Sequence, residues 1–185
     1  MAHDASSAAP AATANFTYDD VAAILKERGW LTTSPAIGTD TRLHIWLNRA
    51  ADLLGPQAAD GAALGNLLEL IFRYDAAAIL QQPASHAVLA REGSRDVIRE
   101  LANRVLDCGD IDSDRFKEII DSMKATLAQR SRELFHPMRL ALAGRAGEGE
   151  LDRVILLLDS AAKLGFAAPV KSARQRMLEF CAAMD

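Results

Sequence analysis

The strongest constraint on this chain is a succession of apolar stripes at helical spacing, most of them closed by glycine or proline. Leu43, Trp46, Leu47, Ala50, Leu53 and Leu54 form one stripe, and Gly55-Pro56 stops it. Val97, Ile98, Leu101, Val105 and Leu106 form another, and Phe116, Ile119, Ile120, Met123 and Leu127 a third. With 3.6 residues per turn, such residues gather on one side of a helix and must be buried against a neighbouring element. No segment of useful length shows the two-residue alternation of a half-buried strand. Aromatics make up 5% of the residues, so Ala and the aliphatics build the core, and Ala and Leu lose little side-chain entropy in a helix. The expected fold is all-α, with about eight helices in two packed subdomains. Their expected ranges are 16–110 and 111–185, behind a disordered, Ala- and Ser-rich tail over residues 1–15.

Local signals set the expected boundaries. Thr17 with Asp20 has the spacing of a capping box, and Gly29 ends that helix. A loop containing Pro35 follows, and Asp40 or Thr41 caps the next helix. Residues 61–82, with Leu64, Leu67, Leu68, Ile71, Phe72 and Ile79, read as one apolar element at the centre of the first bundle. Ser94 is expected to cap a helix, and Asp112 or Ser113 to open a long one ending near Arg130. Pro137 is expected near the start of a short helix closed by Gly144, since a first-turn proline removes no helical hydrogen bond. A helix over about 150–164 and a last one from near Pro169 complete the pass. Trp46 belongs to the core, whereas Trp30, just after Gly29, is a candidate half-exposed contact.

Catalysis requires clustered titratable groups, and the four histidines (His3, His44, His86, His136) stand far apart. No nucleotide-binding glycine loop and no His or Cys pair at metal-ligand spacing occurs, so no cofactor and no metal is expected. Asp110, Asp112 and Asp114 lack the glycine and glutamate of a calcium loop and fit a helix start. Cys108 and Cys181 read as buried free thiols. No apolar run is long enough to cross a bilayer, and the first residues lack the basic and apolar regions of a leader, so a cytoplasmic location is expected. The formal net charge is −4, but it is uneven: residues 1–120 are acidic and residues 121–185 slightly basic. Any contact with a polyanion is therefore expected in the last third.

That third contains the most distinctive segment, running from Ser131 through Leu134-Phe135-His136-Pro137-Met138-Arg139 to Leu140-Ala141-Leu142-Ala143-Gly144, then Glu148-Gly149-Glu150-Leu151. It resembles the "GKxLFxPLRxALTGxxxGPEL" stretch in the C-terminal, anticodon-binding half of bacterial glutamyl-tRNA synthetases. The preceding Phe116–Leu127 and the earlier Ile71-Phe72-Arg73-Tyr74-Asp75 are similar to other helical segments of that half. The resemblance is specific over about residues 112–180 and weaker over 16–111. Ser131 replaces the motif's glycine, Ala143 its threonine, and Glu148-Gly149 its Gly-Pro. The signature motifs of the family's catalytic half do not occur.

The resemblance implies a non-catalytic tRNA-binding module, free-standing or one piece of a split or truncated synthetase. Its implied partners are a tRNA of glutamate type and a separately encoded catalytic subunit. The alternative is a protein-interaction module of the same fold that has lost tRNA binding. A small enzyme is the third choice. The candidate RNA contacts are Arg130, Arg132, Arg139, Arg145, Lys171 and Arg174, because phosphates require Lys or Arg at the rim of an RNA site. Lys171 and Arg174 are expected to share one face of the last helix, while Arg139, set among apolar residues, is at least as well suited to a buried ion pair.

Overall fold

A computed structural model describes residues 15–32, 40–127 and 131–185. The expected tail and the Pro35 loop fall mostly outside those residues, and Arg130 lies outside them. Ten α-helices and no strand occur among the described residues: α1 (Tyr18–Glu27), α2 (Thr41–Leu54), α3 (Gly61–Phe72), α4 (Ala76–Leu80), α5 (Pro83–Leu89), α6 (Ser94–Asp107), α7 (Ser113–Thr126), α8 (Ser131–Ala143), α9 (Glu150–Ala162) and α10 (Ala173–Met184). None of them is long and apolar enough to cross a membrane.

The architecture is all-α, with two helices more than the periodicity indicates. The stretch over 61–82 divides, because Asp75 accepts the Ala78 N–H at 3.0 Å and starts α4 afresh. The segment from Pro83 completes about two turns as α5.

Several starts follow the capping chemistry. The Thr17 backbone N–H and hydroxyl donate to Asp20 Oδ2 at 2.7 and 2.8 Å. Asp40 caps α2 and Asp112 caps α7. Ser94 does not cap α6. Gly93, at φ 78°, holds the cap position, and the Ser94 hydroxyl donates to the Val88 carbonyl at 2.8 Å.

The α7–α8 region departs most from expectation. α7 ends at Thr126, and α8 begins at Ser131 with Pro137 inside it. An interior proline supplies no N–H to the ladder and costs about 3 kcal/mol. Burial of Leu134, Met138, Leu140 and Leu142 along the same helix outweighs that cost, at about 1.5–3 kcal/mol for each large aliphatic. Gly144, at φ 80°, closes α8, and a Cβ there would lie 3.0 Å from Ile79 Cδ1. α10 starts at Ala173, four residues after Pro169. Ser172 and Gln175 form its capping box, with Ser172 N donating to Gln175 Oε1 at 2.8 Å.

α9 occupies the middle, packing against α2, α3, α8 and α10 and burying Leu151 and every residue from Val154 to Asp159. Trp46 donates its indole N–H to the Leu157 carbonyl at 3.2 Å. Trp30 is buried, stacked on Phe72 with ring centres 4.7 Å apart. It is therefore core rather than contact surface. The edges of Trp46 and Phe166 complete this aromatic group. Cys108 and Cys181 are free and half-buried, and burial pushes both thiols up.

Two buried charges tie distant parts together. Asp159 accepts the Ile111 N–H at 2.7 Å and the Ala173 N–H at 2.8 Å, joining the approach to α7 with the start of α10. Arg176 is fully buried and donates to the carbonyls of Leu142, Leu70, Ile71 and Lys171 at 2.7–3.2 Å. Leu70 and Ile71 lie in the last turn of α3 and Leu142 in the last turn of α8, where carbonyls lack helical partners and the dipole is negative.

Candidate nucleic-acid interface

The basic residues of the last third are distributed over three places. The first is the turn joining α8 to α9. Arg132, His136 and Arg139 recur at i, i+4 and i+7 on one face of α8, a spacing that any helix turns toward a single side.

Arg139 is only 8% exposed and is held on several sides. Its Nε and Nη2 each donate to one oxygen of Asp152 at 2.8 Å, a bidentate pair with α9. Nη1 donates to the Gly147 carbonyl at 3.1 Å, and the guanidinium lies 4.9 Å from the Phe135 ring centre. Arg132 is exposed and lies 3.6 Å from the Glu148 carboxylate. Arg145, at the start of the same turn, pairs loosely with Glu150 at 3.8 Å. Arg153, one turn into α9, has no ion-pair partner among the described residues. It lines a cleft of about 390 Å³ together with Gly149 and Asp152.

The second place is the junction of α10 with α4. Lys171 precedes the Ser172 cap, so it is not on the last helix, and it does not share a face with Arg174. Its ammonium donates to the Tyr74 carbonyl at 2.9 Å and to Glu179 at 2.5 Å. Burial alone would raise Glu179, but the Lys171 ammonium and the Ala76 N–H on its carboxylate hold it below the usual range. The third place is the end of α6, where Arg174 donates to the Leu106 carbonyl.

The structure therefore gathers Arg132, Arg139 and Arg145 at one turn and sends Lys171 and Arg174 to other elements. Two participants at the turn carry no signal in the sequence. Arg91, 45 residues away in the chain, places Nη1 2.9 Å from His136 Nδ1. Arg153 reads in sequence as one more surface charge on an amphipathic helix. Among the described residues, no group of three or more His, Cys, Asp or Glu is placed to hold a metal ion. An exposed cation-rich turn on a rigid helical pair can meet phosphates and nucleobase edges.

Comparison with known proteins places this geometry in context. A family model described as "Anticodon binding domain" matches residues 21–162. The match extends through the first half, where the motif resemblance is weaker, and stops before α10. Curated relatives include the glutamate–tRNA ligase of Bacillus licheniformis, 27% identical over 113 residues, covering 61% of this chain and 23% of the relative. The glutamate–tRNA ligase of Geobacillus stearothermophilus is 28% identical over 113 residues, covering 61% and 22%. Glutamate–tRNA ligase 2 of Syntrophus aciditrophicus is 25% identical over 119 residues, covering 61% and 23%. The chain thus spans less than a quarter of the length of these relatives. No solved structure matches it significantly.

Proposed function

This chain belongs to the anticodon binding domain family, and on that premise we propose that it binds tRNA in the cytoplasm through the turn between α8 and α9, without catalysing a reaction itself. The family match across residues 21–162 carries this reading, because it spans the helices that build and support the turn. Arg132, Arg145 and Arg153 are the groups that meet RNA phosphates, being exposed and at most loosely paired. Arg139 positions the turn by clamping Asp152 and Gly147. Lys171, at the junction of α10 with α4, and Arg174, at the end of α6, supply further charge, and Arg130 belongs to the same set. The name shared by the curated relatives makes a glutamate-type tRNA the first ligand to test, and a separately encoded catalytic synthetase subunit the natural protein partner.

One observation favours the second reading, a protein-interaction module without RNA affinity. Glu148 places a carboxylate among the basic groups of the turn. Filter binding of the whole chain to a bacterial glutamate tRNA and to an unrelated tRNA, at two salt concentrations, separates the readings. The tRNA reading expects affinity that falls as salt rises, with a log–log slope of about −0.7 to −0.9 per phosphate contacted. No affinity at low salt, or affinity indifferent to salt, removes it.

A further inference from the structure

Three groups on α8 converge on one carboxylate that none of them holds firmly. Arg132 Nη2, His136 Nε2 and Arg139 Nη1 lie 3.6, 3.5 and 3.7 Å from the oxygens of Glu148. A charge-assisted hydrogen bond is about 2.7–2.9 Å long, as the Arg139–Asp152 pair is at 2.8 Å. Glu148 thus sits among donors without being bound by them, and it is 63% exposed between Gly147 and Gly149.

His136 supplies an independent sign. Arg91 Nη1 lies 2.9 Å from His136 Nδ1. A guanidinium can only donate, so Nδ1 accepts and Nε2 carries the ring proton. That Nε2–H is buried and has no hydrogen-bond partner among the described residues, a state few buried donors keep. Two guanidinium groups and an unsatisfied ring N–H, all within 3.7 Å of one carboxylate, describe an anion site. A phosphate group brings more acceptor oxygens than a carboxylate and can engage all three.

We propose that Arg132, His136 and Arg139 form a phosphate-binding site, and that Glu148 is its internal competitor, displaced when a phosphate enters. Two anions cannot share the site, because like charges a few ångströms apart repel. The flanking glycines give the Glu148 backbone the freedom to swing outward. The phosphate belongs to RNA if the tRNA reading above holds, and the proposal rests on that reading only for this source.

The test uses the whole chain as wild type, Glu148→Gln and Glu27→Gln. Glu27 is an exposed carboxylate on α1, which packs against α2 and α3, so its variant changes net charge equally on another element. Inorganic phosphate and glutamate tRNA are the two probes. The His136 imidazole N–H is followed by NMR, and tRNA affinity by filter binding.

Phosphate is expected to shift the His136 signal. Glu148→Gln should tighten binding of both probes about three- to tenfold over wild type and steepen the tRNA salt slope by about 0.7–0.9. Glu27→Gln should follow wild type. A Glu148→Gln variant that gains no more than Glu27→Gln, or a His136 signal indifferent to both probes, overturns the site. If the wild type still binds tRNA, the earlier reading then survives alone. A His136 response to phosphate with no tRNA affinity does the reverse, supporting the site and removing the tRNA reading.

Discussion

The guanidinium of Arg176 lies 4.5 Å from the centre of the Tyr74 ring, and together these two side chains bind the ends of α3 and α8 to α10. Tyr74 donates its hydroxyl to the Ala141 carbonyl at 2.5 Å, beside the Leu142 carbonyl that Arg176 takes. Among the described residues no carboxylate forms an ion pair with Arg176. Its charge is met by carbonyl dipoles and an aromatic face. Burial presses its pKa down to about 10, far enough above neutrality to keep it charged.

Replacing Arg176 by Met leaves those buried carbonyls without donors. Unsatisfied buried groups cost about 1–3 kcal/mol each, so Arg176→Met should lower the stability by about 3–5 kcal/mol in urea unfolding. Arg176→Lys keeps the charge and fewer donors, and should lose less.

Burial pushes the Tyr74 phenol well above its ordinary value of 10.0, against the opposing pull of Arg176. The folded protein therefore retains a proton that the unfolded chain releases first. The stabilisation is fully present below about pH 10 and is lost as pH rises further, by up to about 1.4 kcal/mol per pH unit. Urea unfolding from pH 8 to 11 should show this loss in wild type and a shallower decline in Tyr74→Phe.

Asp159 is the single acceptor for two backbone N–H groups 62 residues apart in the chain, those of Ile111 and Ala173. Asp159→Ala should cost about 2–4 kcal/mol and speed hydrogen exchange at those two amides above all others. Asp159→Asn keeps one acceptor oxygen and should fall between.

Arg139 and Arg145, both at the α8–α9 turn, should differ in their effect on stability. Arg139→Ala breaks a largely buried bidentate pair and should destabilise the protein by about 2–4 kcal/mol. Arg145→Ala should change stability by less than about 0.5 kcal/mol, yet lower tRNA affinity and flatten its salt slope by about 0.7–0.9. Thermal unfolding and filter binding on both variants give the comparison.

Most of the fold is legible because periodicity reports burial directly: Trp46 and Leu47, read as inward, are buried, and Asp40 and Asp112 cap where short polar residues precede apolar stripes. The misread boundaries are places where two local rules compete. Pro137 argues for a helix start, but the apolar face on both sides of it carries the helix through. Pro169 argues for a start too, yet the Ser172–Gln175 spacing is itself a capping signal and prevails. At the candidate interface, the arginines of the turn are visible as charges near a recognisable segment, while their partners are not. Nothing local in the sequence pairs Arg91 with His136, or shows that Arg176 is buried. A cation held by carbonyls looks in sequence like any other surface arginine on an amphipathic helix.

The long reach of Arg176 also bears on how the protein is made. The carbonyls it satisfies on α3 precede it by 105 and 106 residues. On a ribosome, α3 and α8 therefore emerge with exposed ends that only a helix translated later can cover. Contacts of such sequence separation close late and slowly, so a nascent chain halted before α10 should stay loose and open to proteases.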